Sequence, residues 1–235
     1  YKSLNVHQDF NVYKNAYVME TLTVNANINT KQNLNVTDTL NIDQNVNAYS
    51  NVNIHENFNV YKDTYVMDTL TVDANINTKS NLNVDANINT KQNINIQDTL
   101  NIGQNVNAYS SLNVHQDFNV YKNAYVMETL TVNANVNTKQ NVNITDTLNI
   151  DQNVNAYSNV NISDLLNINK NLNLTGNANI KDSIFLNNNL VVDNDTTIKN
   201  NLNVKNYSVL ENELTIHKNI NVIGNSILKN DVIAK

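Results

Sequence analysis

The stretch Asn33-Leu34-Asn35-Val36-Thr37-Asp38 contains the unit from which the whole chain is built. It alternates polar and apolar residues and then adds two residues that are typical of turns. A period of two places Leu34 and Val36 on one face of a β-strand and the asparagines on the other. An amphipathic helix would instead need apolar residues spaced by about 3.6. A short strand and a two-residue corner together account for the hexad.

The hexad runs along the chain without an inserted or missing residue. Counting in sixes from Leu4 to Val232 gives 39 positions, of which 35 are apolar, and counting from Val6 to Ala234 gives the same numbers. Asn occupies 26 of the 39 positions between these two apolar columns and 22 of the 39 positions before the first column. A fixed period over a whole chain is typical of repeat proteins, and hexads indicate an all-β single-chain β-solenoid, or β-helix.

The coil length follows from the more divergent residues 169–235. When they are written in rows of 18, Val191, Val209 and Ile227 share a column, and Ser208 stands beside Ser226 at positions that are otherwise apolar. Because these departures from the hexad pattern recur at a spacing of 18, they predict that the residues are stacked in space. Three hexads would then form one coil of a three-faced solenoid. The 235 residues would make about 13 coils, each adding ~4.8 Å.

Residues 1–168 form a regular solenoid region in which a longer repeat overlies the hexad. Tyr13–Val24 returns as residues 61–72 and again as 121–132, so the successive offsets are 48 and 60. Both offsets are multiples of 12, which favours a two-sided 12-residue coil as an alternative. An intertwined trimeric β-helix made from three chains would also keep the hexad. We interpret residues 169–235 as a divergent continuation of the same solenoid.

The tyrosines distinguish the two coil lengths. Tyr65 follows Tyr17 at an offset of 48, so an 18-residue coil places these two tyrosines on different faces. Tyr125 follows Tyr17 at an offset of 108, which is a multiple of 18, so the same coil places these two on one face.

The composition excludes several classes of partner and site. The net charge of −6 and the scattered lysines argue against a nucleic-acid partner. The chain has no cysteine, so disulfides and thiolate metal sites are excluded. No apolar run reaches the ~18 residues that a membrane span needs. The chain begins at Tyr1 and shows no terminal cap, so we expect it to be part of a longer chain. With only three glycines, we also expect Asn to take the backbone positions that need a positive φ.

No catalytic residue, cofactor or metal site is predicted, and we expect no enzyme activity. His7, His55 and His115 are copies of one corner, and an active site is not expected in three copies along a solenoid. His217 shares its column with lysines.

Two surface features are candidates for contact with a partner. The first is the set of repeated outward tyrosines, which could pack against neighbouring rods or stack on carbohydrate: Tyr13, Tyr17, Tyr61, Tyr65, Tyr121 and Tyr125. The second is an apolar outward stripe formed by Val191, Val209 and Ile227. The asparagine columns have two interpretations, which are stability through stacked amides or a flat array that binds an ordered surface such as ice or a glycan.

Two segments carry a resemblance to known proteins. Asn171–Ile180 (NLNLTGNANI) and Asn187–Val204 (NNNLVVDNDTTIKNNLNV) resemble the Asn-rich hexapeptide-repeat β-solenoid shafts of phage and giant-virus fibre and surface proteins. This resemblance implies an extracellular or virion-surface shaft. The uncapped hexad coils also give the chain a weaker resemblance to bactofilin-like cytoskeletal filaments.

We therefore predict a structural fibre or filament subunit on the outside of a cell or virion. An uncapped solenoid end exposes a strand edge that pairs with other chains, so the predicted partner is the protein itself, end to end or side by side. A glycan or a cell surface is the second predicted partner. The alternatives are a surface-binding module (an adhesin or an ice-binding protein) that uses the Asn, Thr and Tyr arrays, and a bactofilin-like cytoplasmic polymer.

Overall fold

The computed structural model describes residues 3–230 and 232–234, with side chains described for residues 3–230. The chain divides into two compact units, residues 1–120 and residues 121–235. In both units, each β-strand contains the two inward positions of one hexad and the residue between them, and the two strands that begin at Tyr207 and Asn225 have one residue more at the start. The described residues contain no helix. The change in sequence character near residue 168 lies inside the second unit.

The strands of the first unit are β1 (Leu4–Val6), β2 (Phe10–Val12), β3 (Ala16–Val18), β4 (Leu22–Val24), β5 (Ile28–Thr30), β6 (Leu34–Val36), β7 (Leu40–Ile42), β8 (Val46–Ala48), β9 (Val52–Ile54), β10 (Phe58–Val60), β11 (Thr64–Val66), β12 (Leu70–Val72), β13 (Ile76–Thr78), β14 (Leu82–Val84), β15 (Ile88–Thr90), β16 (Ile94–Ile96), β17 (Leu100–Ile102), β18 (Val106–Ala108), β19 (Leu112–Val114) and β20 (Phe118–Val120).

The strands of the second unit are β21 (Ala124–Val126), β22 (Leu130–Val132), β23 (Val136–Thr138), β24 (Val142–Ile144), β25 (Leu148–Ile150), β26 (Val154–Ala156), β27 (Val160–Ile162), β28 (Leu166–Ile168), β29 (Leu172–Leu174), β30 (Ala178–Ile180), β31 (Ile184–Leu186), β32 (Leu190–Val192), β33 (Thr196–Ile198), β34 (Leu202–Val204), β35 (Tyr207–Leu210), β36 (Leu214–Ile216), β37 (Ile220–Val222), β38 (Asn225–Leu228) and β39 (Val232–Ala234).

Within each unit a strand pairs in parallel with the strand three places along the chain. Leu34 of β6 lies opposite Val52 of β9, and Asn35 lies opposite Asn53, so each partner is one 18-residue coil away. The strands of each unit therefore fall into three sheets, which begin with β1, β2 and β3 in the first unit and with β22, β23 and β21 in the second. This register confirms the single-chain, three-sheet β-solenoid with an 18-residue coil. The alternative 12-residue coil and the intertwined trimer are wrong, because strands pair within one chain at this offset.

The tyrosine comparison agrees with this register inside the first unit. Tyr17 is the middle residue of β3, and Tyr65 is the middle residue of β11. These strands belong to different sheets, as the 18-residue coil predicts. Tyr125 is the middle residue of β21, in the second unit, so the part of the prediction that concerns it stays a prediction.

The apolar columns form the core of each unit. Leu34, Leu40 and Ile42 are fully buried, and Phe58 and Phe118 are buried at equivalent inward positions. Each buried aliphatic side chain is worth roughly 1.5–3 kcal/mol relative to an exposed one. Because identical inward positions stack directly on one another, every coil except the terminal ones buries its apolar residues against a coil on either side.

The corners form without left-handed backbone, which corrects one expectation. Among the described residues, neither a glycine nor any other residue has a positive φ. The abundance of Asn is therefore not explained by positive φ. Glycine instead permits close approach between coils: a Cβ on Gly103 would overlap the backbone carbonyl of Asp85, and one on Gly176 would overlap the backbone of Ser158. Each of these contacts joins a corner to the corner one coil earlier.

Two inward threonines that are preceded by the same five residues differ in hydrogen bonding. Thr78 and Thr90 end the two copies of Asp-Ala-Asn-Ile-Asn-Thr and are each 1% exposed. The Thr90 hydroxyl donates to the carbonyl of Ala74 at 2.8 Å. The Thr78 hydroxyl has no partner within the described part of the chain. A buried hydroxyl without a partner carries a desolvation cost of about 1–3 kcal/mol.

This difference predicts opposite effects for one substitution. Thr78→Val removes an unpaired hydroxyl and should raise the free energy of unfolding by about 1–2 kcal/mol. Thr90→Val removes a formed hydrogen bond and leaves the Ala74 carbonyl with one partner fewer, so it should be neutral or destabilising. Urea denaturation of the two variants beside the parent measures both effects. Equal stabilisation by the two substitutions would contradict the assignment.

Candidate functional surface

Outward asparagines at the strand centres form amide ladders. Asn59 Nδ2 donates to Asn41 Oδ1 at 2.9 Å, and Asn77 Nδ2 donates to Asn59 Oδ1 at 2.9 Å. The same pattern continues through Asn95 and Asn113, at 3.0 Å for each bond. Each amide thus joins its coil to the coils before and after it. The predicted stacking of amides is confirmed by these bonds.

The second asparagine column, which precedes each strand, has a role that the sequence analysis missed. The backbone N–H of Asn45 donates to Asn27 Oδ1 at 3.1 Å, and that of Asp63 donates to Asn45 Oδ1 at 3.2 Å. An unpaired backbone N–H is costly where water is partly excluded, and here the side chain one coil earlier satisfies it. A signal was present, because 36 of the 39 residues in this column are Asn, Asp, Ser or Thr, all short side chains with an acceptor oxygen.

Three corner tyrosines carry a lysine over the ring. Each lysine lies one 18-residue coil after its tyrosine and therefore occupies the same corner. The ammonium-to-centroid distances are 4.8 Å for Lys31 over Tyr13, 4.0 Å for Lys79 over Tyr61 and 4.3 Å for Lys139 over Tyr121. Such cation–π contacts are worth about 0.5–1 kcal/mol at exposed sites. Reading the sequence down columns of 18 would have revealed these pairs.

The tyrosines at strand centres form a separate group. Tyr17 is 65% exposed and Tyr125 is 43% exposed. Tyr65 instead leans toward the neighbouring corner, where its hydroxyl donates to Asp85 Oδ2 at 2.6 Å. This hydrogen bond to the carboxylate raises the pKa of Tyr65. Within the first unit, Tyr17 and Tyr65 therefore lie on different sheets, and Tyr13 and Tyr61 lie at different corners.

The three residues of the apolar stripe are stacked in register. Val191 lies opposite Val209, and Val209 lies opposite Ile227, on β32, β35 and β38. Val191 and Val209 are half-buried, and Ile227 is 45% exposed. Phe185 is similarly exposed but belongs to β31 on another sheet. The stripe is thus a narrow column of three side chains.

The histidine copies have different neighbours. His55 Nδ1 lies 3.1 Å from Asp73 Oδ2, and Lys91 Nζ lies 2.9 Å from Asp73 Oδ1. Lys91, and to a lesser extent His55, hold the pKa of Asp73 below its ordinary value. His7 instead contacts the amide of Asn25 at 3.4 Å. Among the described residues, no group of three His, Cys, Asp or Glu side chains could hold a metal ion.

Three aspartates stack at one corner of the second unit. Asp146, Asp164 and Asp182 follow one another at 18-residue intervals. Partial desolvation and the neighbouring carboxylates raise the pKa of Asp164. Asn200 Nδ2 donates to Asp182 Oδ1 at 2.6 Å, and this bond lowers the pKa of Asp182. The pKa values of Asp164 and Asp182 are therefore shifted in opposite directions.

Each unit also carries a shallow groove between an asparagine ladder and a corner. The groove of the first unit has a volume of about 250 Å³ and is lined by Asn11, Val12, Tyr13, Asn29, Thr30, Lys31 and Tyr49. The groove of the second unit has a volume of about 220 Å³ and is lined by Asn137, Asn155, Ala156, Tyr157, Asn173, Leu174, Thr175, Val191 and Asp193. Both are smaller than the roughly 300–1,000 Å³ of enclosed small-molecule pockets.

Comparison with known proteins gives no relative: the chain matches no protein-family model, no curated protein and no solved structure. Over the part of the chain that the structure describes, no helix has the length and apolar character needed to cross a membrane.

The two asparagine columns should respond differently to truncation. Asn93 Oδ1 accepts from the Ser110 hydroxyl at 3.0 Å and from the Ser111 backbone N–H at 3.2 Å. Asn93→Ala leaves both donors without this acceptor and should lower the free energy of unfolding by about 1–3 kcal/mol. Asn95→Ala, in the neighbouring ladder column, removes bonds on an outward face where water can replace them, and should cost about 1 kcal/mol. Urea denaturation compares them, and a larger loss for Asn95→Ala would contradict this order.

The aspartate column predicts a pH-dependent gain from one neutral substitution. Because the folded state raises the pKa of Asp164, its contribution to stability is present at acid pH and is lost as pH rises through that pKa. Asp164→Asn should therefore raise the melting temperature at pH 7 and lose its advantage below pH 3.8, the ordinary value for this group.

Asp98→Asn is the matched control, since the residues at the same corner one coil before and after it are the uncharged Ser80 and Gln116. It should change the melting temperature little at either pH. A gain for Asp164→Asn that is independent of pH would contradict the assignment, because an Asp164 carboxylate that is unfavourable only when ionised gives a gain only above its pKa.

Proposed function

We propose that the chain is a subunit of a structural fibre or filament outside the cell or on a virion surface. The observation that carries the proposal is the repetition of the same kinds of inter-coil contact from coil to coil within each unit. Backbone bonds, buried aliphatic columns and amide ladders all join a coil to the next one. A solenoid built in this way suits a load-bearing segment, because its stability is a sum of nearest-neighbour terms and grows with length.

In the first unit, the first strands β1, β2 and β3 have a described partner strand on one side only, and this edge supports assembly or continuation of the solenoid. Leu4, Val6 and Phe10 in β1 and β2 are only half-buried. One coil later the equivalent Leu22, Val24 and Ile28 are fully buried. An open edge of this kind is a template for a further strand.

The second unit has similarly uncovered inward side chains in its C-terminal coils. Ile220 in β37 is 47% exposed and Leu228 in β38 is 37% exposed, although both occupy inward positions of the hexad. Coils from another copy would bury these side chains and pair the edge strands. Additional coils of the same chain would do so as well, and either arrangement extends the fibre.

The edge can be blocked without loss of a backbone hydrogen bond between coils. Substitution of Asn11 by proline or by alanine also removes the side-chain bond that Asn11 Oδ1 accepts from Asn29 Nδ2. Within β1 the N–H of Leu4 and the carbonyl of Val6 bond the next coil. Because bonding alternates along a strand in a parallel pair, the N–H of Asn5 points to the open side. The same holds for Asn11 in β2 and Tyr17 in β3. Proline at these positions removes three outward donors and is tolerated on an edge strand.

Electron microscopy over a concentration series tests this proposal. The parent chain should form particles whose length increases with concentration. The variant Asn5→Pro/Asn11→Pro/Tyr17→Pro should stay short, and the matched variant with alanine at the same positions should elongate. Circular dichroism confirms that all three proteins remain β-sheet. Short particles of one length for the parent at every concentration would contradict the proposal.

A further inference from the structure

We propose that the groove in each unit binds a neutral carbohydrate chain, a function that goes beyond the structural role. The two grooves share their components although they lie in different units. Each has an asparagine ladder as its floor and exposed corner tyrosine as its wall. Tyr49 and Tyr157 come from identical copies of Asn-Val-Asn-Ala-Tyr-Ser, so the same local sequence builds both sites.

In the first unit the floor consists of stacked amides. Asn29 Nδ2 donates to Asn11 Oδ1 at 2.9 Å, and Asn47 Nδ2 donates to Asn29 Oδ1 at 3.0 Å. Tyr13 and Tyr49 stand on the adjoining corner and are 73% and 57% exposed. They are two coils apart, which corresponds to ~10 Å. Lys31, between them, leans over the ring of Tyr13.

In the second unit the floor is again a ladder. Asn155 Nδ2 donates to Asn137 Oδ1 at 3.0 Å, and Asn173 Nδ2 donates to Asn155 Oδ1 at 2.9 Å. Tyr157 forms the wall and is 67% exposed. Thr175 follows it on the same corner and adds a hydroxyl to the lining.

The ladders leave hydrogen-bonding capacity that matches sugar hydroxyls. An Asn side chain has two N–H donors and an oxygen with two lone pairs. The ladder bonds of Asn29 and Asn155 use one donor and one lone pair each. One donor and one acceptor on each of these two side chains therefore remain for a ligand. Because the ladder already fixes the amide rotamers, these side chains lose little conformational entropy when a ligand binds.

The tyrosines supply the second element of carbohydrate recognition. A pyranose ring has a face of C–H groups, and the flat apolar body of a tyrosine packs against such a face while its hydroxyl stays in water. An open groove with donors and acceptors repeated at each coil suits a chain of sugar units better than a single sugar. The small groove volumes fit one face of a chain that lies on the surface.

We assign a neutral ligand because the two grooves have no charged residue of the same sign in common. The first groove contains Lys31, whereas the second contains Asp193. The components common to both, amides and phenol rings, are uncharged. The net charge of −6 also disfavours a polyanion.

Affinity electrophoresis of the full chain tests the proposal. Native gels would contain dextran, mannan, xylan or hydroxyethyl cellulose as neutral probes and alginate as an anionic probe. We expect at least one neutral polysaccharide to retard the protein and alginate to have no effect. Tyr49→Ala/Tyr157→Ala should weaken the binding about tenfold or more, as for aromatic side chains that a partner buries.

Tyr17→Ala/Tyr125→Ala is the matched control, because it removes two exposed tyrosines that line neither groove. It should bind like the parent. The edge-blocked proline variant lacks Asn11, which lines the groove of the first unit. It retains every lining residue of the groove of the second unit. Binding by that variant separates carbohydrate recognition from assembly. The proposal is overturned if no neutral polysaccharide retards the parent, if both tyrosine pairs behave alike, or if alginate alone is effective.

Discussion

The structure depends on parallel pairing between residues that are one 18-residue coil apart. This register places chemically equivalent hexad positions directly above one another within each unit. A residue type repeated at such a spacing becomes a column, so that leucines stack on leucines and amides on amides. Each column then extends an interaction from a single pair to a series. The apolar core, the amide ladders and the lysine-covered tyrosines are all consequences of this one constraint.

Asparagine serves two separate purposes within that register. At strand centres its amide bonds to the next amide, and before each strand its oxygen accepts a backbone N–H that no strand partner reaches. The ladders are interrupted where other residues intervene, as at Tyr65 and Phe185. Near the end of the second unit, the side-chain oxygens of Asn201 and Asn203 are buried without a partner among the described residues.

The fold was predictable because its determinants are local and repeated. Two inward positions per hexad identify strands, and the matched exceptions Ser208 and Ser226, whose hydroxyls lie 3.0 Å apart, reveal the coil length. The backbone conformation of the corners was not predictable, because Asn permits left-handed backbone but does not require it. Asn27 and Asn45 accept backbone N–H groups through their side-chain oxygens. This role depends on which N–H groups the backbone pairing between strands leaves without a partner. That information requires the register as well as the composition of the column.

The candidate surface was predicted less completely than the fold. Repetition along the chain identified the tyrosines, but contacts form down the columns, where residues one coil apart meet. Lys31 therefore meets Tyr13, and Asp85 meets Tyr65, although neither pair is close in the sequence. The grooves depend in the same way on which ladder adjoins which corner. Copies of Tyr13–Val24 therefore have different neighbours, because the offset of 48 between the first two copies is not a multiple of 18.

Disulfide trapping tests the 18-residue register most directly, because the chain contains no cysteine. Thr37→Cys/His55→Cys places two thiols at one corner on consecutive coils, whose separation of ~4.8 Å is within disulfide reach. Thr37→Cys/Tyr49→Cys, which a 12-residue coil would stack, places them at different corners. Under mild oxidation, non-reducing electrophoresis with peptide mapping should show an intramolecular disulfide in the first variant and none in the second. A disulfide in the second variant alone would contradict the 18-residue coil.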